Sequence, residues 1–174
     1  MIVVGFLGAA GDPGTLALEI ARRGAGTGAR VEMVGVATPD DAGDARLLEL
    51  AAAGIGHATV VRSAADGLES ADLDLALRYL PDVRAIVLVA PDASLVAPAA
   101  AASGWSGAVL VIVGDEQEGA AAPHAIVLDP PRVDRDGTFA GLVAALAARL
   151  DAGDDPATAW QSTIAALAVD PVSR

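Results

Sequence analysis

Apolar residues come in short unbroken runs, separated by stretches where they recur every three or four positions. Ile2–Leu7 is apolar and β-branched, stops at Gly8, and reads as a buried strand. Thr15–Arg23 follows with Leu16 and Ile20 at helical spacing, and the glycines from Gly24 to Gly28 close it. Arg30–Val36 is a second strand. A turn and cap at Thr38-Pro-Asp-Asp-Ala-Gly-Asp leads into a helix over Ala45–Ala53, ended by Gly54. His57–Val61 is a third strand, and Ser70 is placed to cap Ala71–Leu80, where Leu73, Leu77 and Leu80 repeat at i, i+4, i+7. Ala85–Ala90 has no polar residue, as a strand covered on both faces of a parallel sheet requires. An Ala-rich helix over 93–103 ends at Gly104, and the strands Ala108–Val113 and Ala125–Leu128 follow. Two helices close the chain. Thr138–Leu150 carries Phe139, Leu142, Val143, Leu146 and Leu150 on one face, and Trp160, Ile164 and Leu167 mark the packing stripe of a helix opened by Pro156. Strand and helix alternating in this way predict a single α/β domain: a doubly wound, mainly parallel sheet with helices on both faces.

Composition narrows the chemistry. The 174 residues suit one domain, and 53% hydrophobic with 20% charged residues is globular, with an aliphatic core because aromatics are only 3%. With no Cys there is no disulfide, thiolate nucleophile or zinc-thiolate site. All 11 basic residues are Arg, so a Walker A lysine, a Schiff base and pyridoxal-phosphate chemistry are excluded. The 2 histidines, His57 and His124, have no identifiable partner acid, and no metal site is expected. A net charge of −12 disfavours nucleic acid and anionic membranes as partners. The N-terminal run has no basic segment before it and no apolar run reaches membrane-spanning length, so a cytoplasmic protein is expected.

Three segments could carry chemistry. Gly5-Phe-Leu-Gly8-Ala-Ala-Gly11-Asp-Pro-Gly14 has the loose glycine spacing of a dinucleotide loop, where Gly8, Gly11 and Gly14 would let the backbone approach a pyrophosphate. Equally, it is a βα loop that needs only tight turns: Pro13 removes an amide, and Val36-Ala37-Thr38 stands where a ribose-binding acid belongs. Asp134-Arg-Asp-Gly-Thr-Phe139 opens a helix. The amides of Gly137 and Thr138 would suit an anion there, with Asp136 either a general base or simply the N-cap. Gly114-Asp-Glu-Gln-Glu-Gly119 follows a strand, where ligands of parallel sheets bind, although its carboxylates would repel phosphate.

Two separate stretches then carry a resemblance. Residues from Gly14 through the Arg22-Arg-Gly helix end, Met33-Val-Gly-Val, Asp40-Asp-Ala-Gly-Asp and Leu50-Ala-Ala-Ala-Gly-Ile55 resemble the ribokinase-like (PfkB) carbohydrate kinases. So does Val133-Asp-Arg-Asp-Gly-Thr-Phe-Ala-Gly-Leu142 with its two closing helices, which is similar to the family's V-D-T-T-G-A-G-D-A-F-x-x-G anion-hole segment. Together they cover residues 1–62 and 84–170. The resemblance implies a ribokinase-like core. It also implies a truncated and degenerate one, because Ser63–Asp82 is too short for the family's lid and central units. The family's N-x-x-E motif cannot exist without Asn, and the sugar-gripping positions after the first strand are Phe6, Leu7, Ala9 and Ala10. Aligned on Phe139, the catalytic aspartate position falls on Gly137, with Asp136 one residue earlier.

Three functions follow as expectations. The first is a non-catalytic, ligand-sensing protein that keeps the scaffold and an anion site at Gly137 and Thr138. The second is a small kinase using Asp136, with a lid from a partner chain in a homo- or hetero-oligomer; only this one calls for ATP and Mg2+. The third is a dinucleotide-binding domain. The ligand in each case is a small molecule.

Overall fold

The computed structural model describes residues 1–7, 14–64, 67–80, 82–115, 117, 121–134 and 136–169. The strands are β1 (Ile2–Leu7), β2 (Glu32–Ala37), β3 (Gly56–Arg62), β4 (Ala85–Val89), β5 (Val109–Val113) and β6 (Ile126–Leu128). The helices are α1 (Gly14–Gly26), α2 (Asp41–Ala52), α3 (Ser70–Tyr79), α4 (Ala93–Ser106), α5 (Thr138–Ala152) and α6 (Pro156–Val169).

The strands form one sheet in the order β3-β2-β1-β4-β5-β6, parallel throughout. The runs at Ile2–Leu7, Arg30–Val36, Ala85–Ala90 and Ala108–Val113, expected as strands of one mainly parallel sheet, share it. Their side chains alternate between two cores, which is why they are apolar apart from Arg30 and Glu32 at the start of the second. Val3, Val87 and Val111 point to a layer with Leu18 and Ile20 of α1, Leu50 of α2, Val143 and Leu146 of α5, and Ala159 of α6. Ile2, Val4, Ile86, Leu88 and Ile112 point to the opposite layer, with Leu73 and Leu77 of α3 and Val96 and Ala99 of α4. Each fully buried Val, Leu or Ile among these contributes about 1.5–3 kcal/mol of transfer free energy.

Two glycines let backbones approach where a side chain could not. A Cβ on Gly5 would lie 2.6 Å from the Cβ of Ala17, so α1 rests directly on β1 at that point. A Cβ on Gly35, the registered partner of Gly5, would run into the Gly5 carbonyl oxygen. Gly5 therefore belongs to the strand and its packing, not to the loop that follows.

Several boundaries differ from expectation for local reasons. Helix α2 starts at Asp41, not Ala45, because the Asp40 carboxylate accepts from the Gly43 amide at 2.9 Å and caps it. Ser70 is the first residue of α3, and Glu69 takes the cap position without a side-chain bond. Helix α4 runs through Gly104 to Ser106, and the left-handed Gly107 (φ 74°) stops it. Strand β4 ends at Val89, because Ala90 turns into the left-handed region (φ 43°). The largest correction concerns α6. Trp160 and Ile164, expected to pack, are 39% and 42% exposed, while Ala159 and Thr163 face the core. Small side chains let α6 sit close against α5, and Thr163 Oγ1 satisfies itself by donating to the Ala159 carbonyl at 2.8 Å.

Candidate functional site

In a parallel sheet of this order, ligands meet the carboxyl ends of the strands, beside the point where the strand order reverses. That point lies between β1 and β4. Gly8 and Gly11 fall outside the described residues, and Gly14 is the first residue of α1. Across the crevice, Ala90 holds its positive φ, Pro91 is buried, and Asp92 caps α4 by accepting from the Ser94 amide at 2.8 Å. That amide bond, aided by the Ser94 side chain, holds the Asp92 carboxyl below the usual carboxylate range.

The neighbouring strand ends are occupied by local networks. After β2, Thr38 Oγ1 donates to Asp40 Oδ1 at 2.6 Å. This bond and the Gly43 amide hold the Asp40 carboxyl below its ordinary value. Beside it, Arg62 at the end of β3 pairs with Asp44 at 2.6 Å. After β5, Gly114 is buried and its amide donates to the Leu128 carbonyl at 3.0 Å, which extends the β5–β6 ladder. The exposed Asp115 turns back to accept from the Gln117 amide at 2.9 Å.

The start of α5 packs against Arg23 in the last turn of α1. Gly137 takes the N-cap position with φ 70°, a conformation that suits glycine. The Asp134 carboxylate spans the turn, accepting from the Phe139 amide at 3.0 Å and the Ala140 amide at 2.9 Å. Asp136, exposed, accepts from the Thr138 amide at 3.3 Å. The first-turn amides that would hold an anion thus already hold two carboxylates of the chain. A guanidinium closes the other side. Arg23 donates from Nε to Glu19 at 2.8 Å and from Nη2 to the Asp136 carbonyl at 3.2 Å, and it lies so close to Gly137 that a Cβ there would meet Nη2.

Sequence reasoning singled out Asp136, Gly137 and Thr138 and passed over Asp134 and Arg23. Asp134 stands several residues before the helix, so a search for a cap immediately preceding it misses the role. The Val-Asp pair of the resembling segment was the one available signal. The segment between Val133-Asp134 and Phe139 is three residues shorter than in the quoted motif.

The histidines stay apart from this edge's chemistry. His57 is half-buried with Nδ1 3.0 Å from the Ile55 carbonyl, and His124 is exposed. Among the described residues, no group of three His, Cys, Asp or Glu side chains could hold a metal ion, and no helix is long and apolar enough to cross a membrane. A small cavity of about 80 Å³ lies at the opposite, amino edge of the sheet, between Arg30, Glu32, Tyr79, Asp82 and Asp151.

No protein-family model and no curated protein matches the sequence. Solved structures do match. The chain is similar to the protein called Sa239, with a TM-score of 0.63 at 13% identity over 83% of this chain and 77% of that one. It is similar to fructokinase with bound ATP from Xylella fastidiosa, with a TM-score of 0.61 at 12% identity over 94% and 85%. Ribokinase from Giardia lamblia gives 0.56 at 12% identity over 95% and 88%. The fold is ribokinase-like. At these identities the likeness establishes architecture, as the resemblance in the two segments implied.

Proposed function

We propose that this chain is a ribokinase-like protein that does not transfer phosphoryl groups and binds a small molecule at the carboxyl edge of its sheet. One observation carries the reading: the amides opening α5 are already bonded to Asp134 and Asp136, with Arg23 packed on Gly137. Phosphoryl transfer depends on donors preorganised around the phosphates and on a base within reach of the acceptor hydroxyl. Here the donors are taken by carboxylates, the base position is a buried glycine, and Asp136 is held in a capping bond. ATP and Mg2+ do not fit this turn as it stands. The ligand half of the proposal rests on the crevice between β1 and β4, flanked by the start of α1 at Gly14 on one side and by the turned Ala90 on the other. At −12 the protein stays off nucleic acid and anionic membranes, in keeping with a cytoplasmic small-molecule binder.

A second reading has one observation in its favour: the strand order β3-β2-β1-β4-β5-β6 is the order of dinucleotide-binding domains. Calorimetric titration with ATP, ADP, NAD, NADH, inorganic phosphate and a panel of sugars tests both. Binding without ADP release supports the proposal, and tight binding of NADH alone selects the second reading. Heat from none of them, at millimolar concentration, removes the ligand-binding half.

A further inference from the structure

The geometry points to a second binding site, at the amino edge of the sheet, that takes a small, planar, uncharged ring with hydrogen-bond acceptors on its rim. A cavity of about 330 Å³ opens there between Arg78, near the end of α3, and Trp105, near the end of α4. Both helices run back from the carboxyl edge, so the cavity lies on the far side of the sheet from the crevice between β1 and β4 and is independent of it.

Each wall has a feature that core packing does not account for. Helix α4 meets the core through Leu95, Val96, Ala99 and Ala102, while the Trp105 indole is 53% exposed. Next to it stands Gly104, inside the helix, where only proline is a poorer helix former. A Cβ at Gly104 would meet nothing within 4 Å, and no positive φ calls for glycine there, in contrast to Gly107 (φ 74°), which ends the helix. What Gly104 leaves is open space beside the indole. On the other wall, Asp74 holds Arg78 from one turn earlier, with Oδ2 3.0 Å from Nε and 2.9 Å from Nη2. Among the described residues, Arg78 Nη1 and the Trp105 indole N–H have no hydrogen-bond partner.

These walls define the ligand. An indole face stacks on planar rings. Both free polar groups are donors, so the rim of the ring carries acceptors, carbonyl oxygens or ring nitrogens. Charge then selects a neutral ring. A carboxylate or phosphate approaching Arg78 meets the Asp74 carboxylate already on it, and the −12 of the whole chain. A cation meets the guanidinium. A purine dione or a pyridine carboxamide has the required form. With the site open to water, binding is expected in the millimolar range.

Titration of isotope-labelled protein with caffeine and with nicotinamide, followed by nuclear magnetic resonance through the two indole N–H signals, tests this. The Trp105 signal is expected to shift and saturate at millimolar ligand, while that of Trp160, itself 39% exposed, stays in place. Benzoate and benzyltrimethylammonium, charged rings of similar size, are expected to bind more weakly. Arg78→Gln should weaken binding by about tenfold, through the loss of one charge-assisted hydrogen bond. Gly104→Leu should abolish the saturable shift by filling the space beside the indole, with a melting temperature no lower than the parent's, because leucine is the better helix former. The absence of a saturable shift at Trp105, equal shifts at both indoles, tighter binding of either charged ring, or a Gly104→Leu variant that binds like the parent overturns the proposal.

Discussion

Replacing Asp134 by alanine frees the Phe139 and Ala140 amides at once and removes a negative charge from the positive end of α5. Loss of a helix cap costs about 0.5–2 kcal/mol, and a half-exposed charge at the first turn adds about 0.3–1 kcal/mol. With two charge-assisted bonds lost from a half-buried carboxylate, the expected cost is about 2 kcal/mol. For a chain of this length that lowers the melting temperature by about 4–8 °C. Asp136→Ala removes a longer bond from an exposed side chain and should cost less than Asp134→Ala, about 0.5 kcal/mol, a shift of about 1–2 °C. Urea denaturation of parent and both variants, with equal slopes, measures the difference directly. The ordering is the test. If Asp136→Ala costs as much as Asp134→Ala or more, the Asp134 carboxylate is not what holds this turn, and the argument that the anion position is internally filled fails.

Gly35→Ala should be severely destabilising, by at least about 3 kcal/mol, because its methyl group meets the Gly5 carbonyl in the centre of the sheet; soluble yield and urea midpoint report it. Ala90→Gly should come out within about 1 kcal/mol of the parent, since relief of the left-handed alanine offsets the extra chain entropy of glycine; a loss beyond about 2 kcal/mol would mean that the methyl group packs usefully. Asp40, Asp92 and Asp155 all have carboxyls held below their ordinary value, Asp155 chiefly by the Thr158 side chain and amide. Folded pKa values below the unfolded ones give stability that is present above the ordinary carboxylate value and is lost as pH falls through the folded values. The triple variant to Asn, a good cap without a titrating proton, should therefore lose less stability between neutral pH and pH 2–3 than the parent does, as acid-titrated thermal melts would show; parallel acid profiles would contradict this.

The sheet was legible in the chain because its strands are buried on both faces, and burial on both faces leaves an apolar run as its trace. Helix ends were less legible. Gly24 and Gly104 look like stops, yet α1 and α4 run past them, since packing of the flanking residues outweighs about 1 kcal/mol of propensity per glycine. The α6 stripe misled for a clearer reason. Periodicity says which residues share a face, not which face turns inward, and close approach to α5 favoured Ala159 and Thr163 over Trp160 and Ile164. At the start of α5 the motif located the right turn, while the partners of its amides depended on loop length and on Arg23, which is 113 positions from Asp136. Contacts of that range leave no local pattern.

Whether this ribokinase-like fold transfers phosphoryl groups is measured by a coupled ADP-release assay. Purified protein is given magnesium, ATP and a panel of pentoses, hexoses and nucleosides. ADP release is expected to be indistinguishable from the protein-free control for every acceptor, with no change in Asp136→Ala. Turnover of about 1 s⁻¹ or more, the range of ordinary enzymes, on any acceptor and abolished by Asp136→Ala would contradict it, and would show that the capped turn opens to bring Asp136 into use as a base.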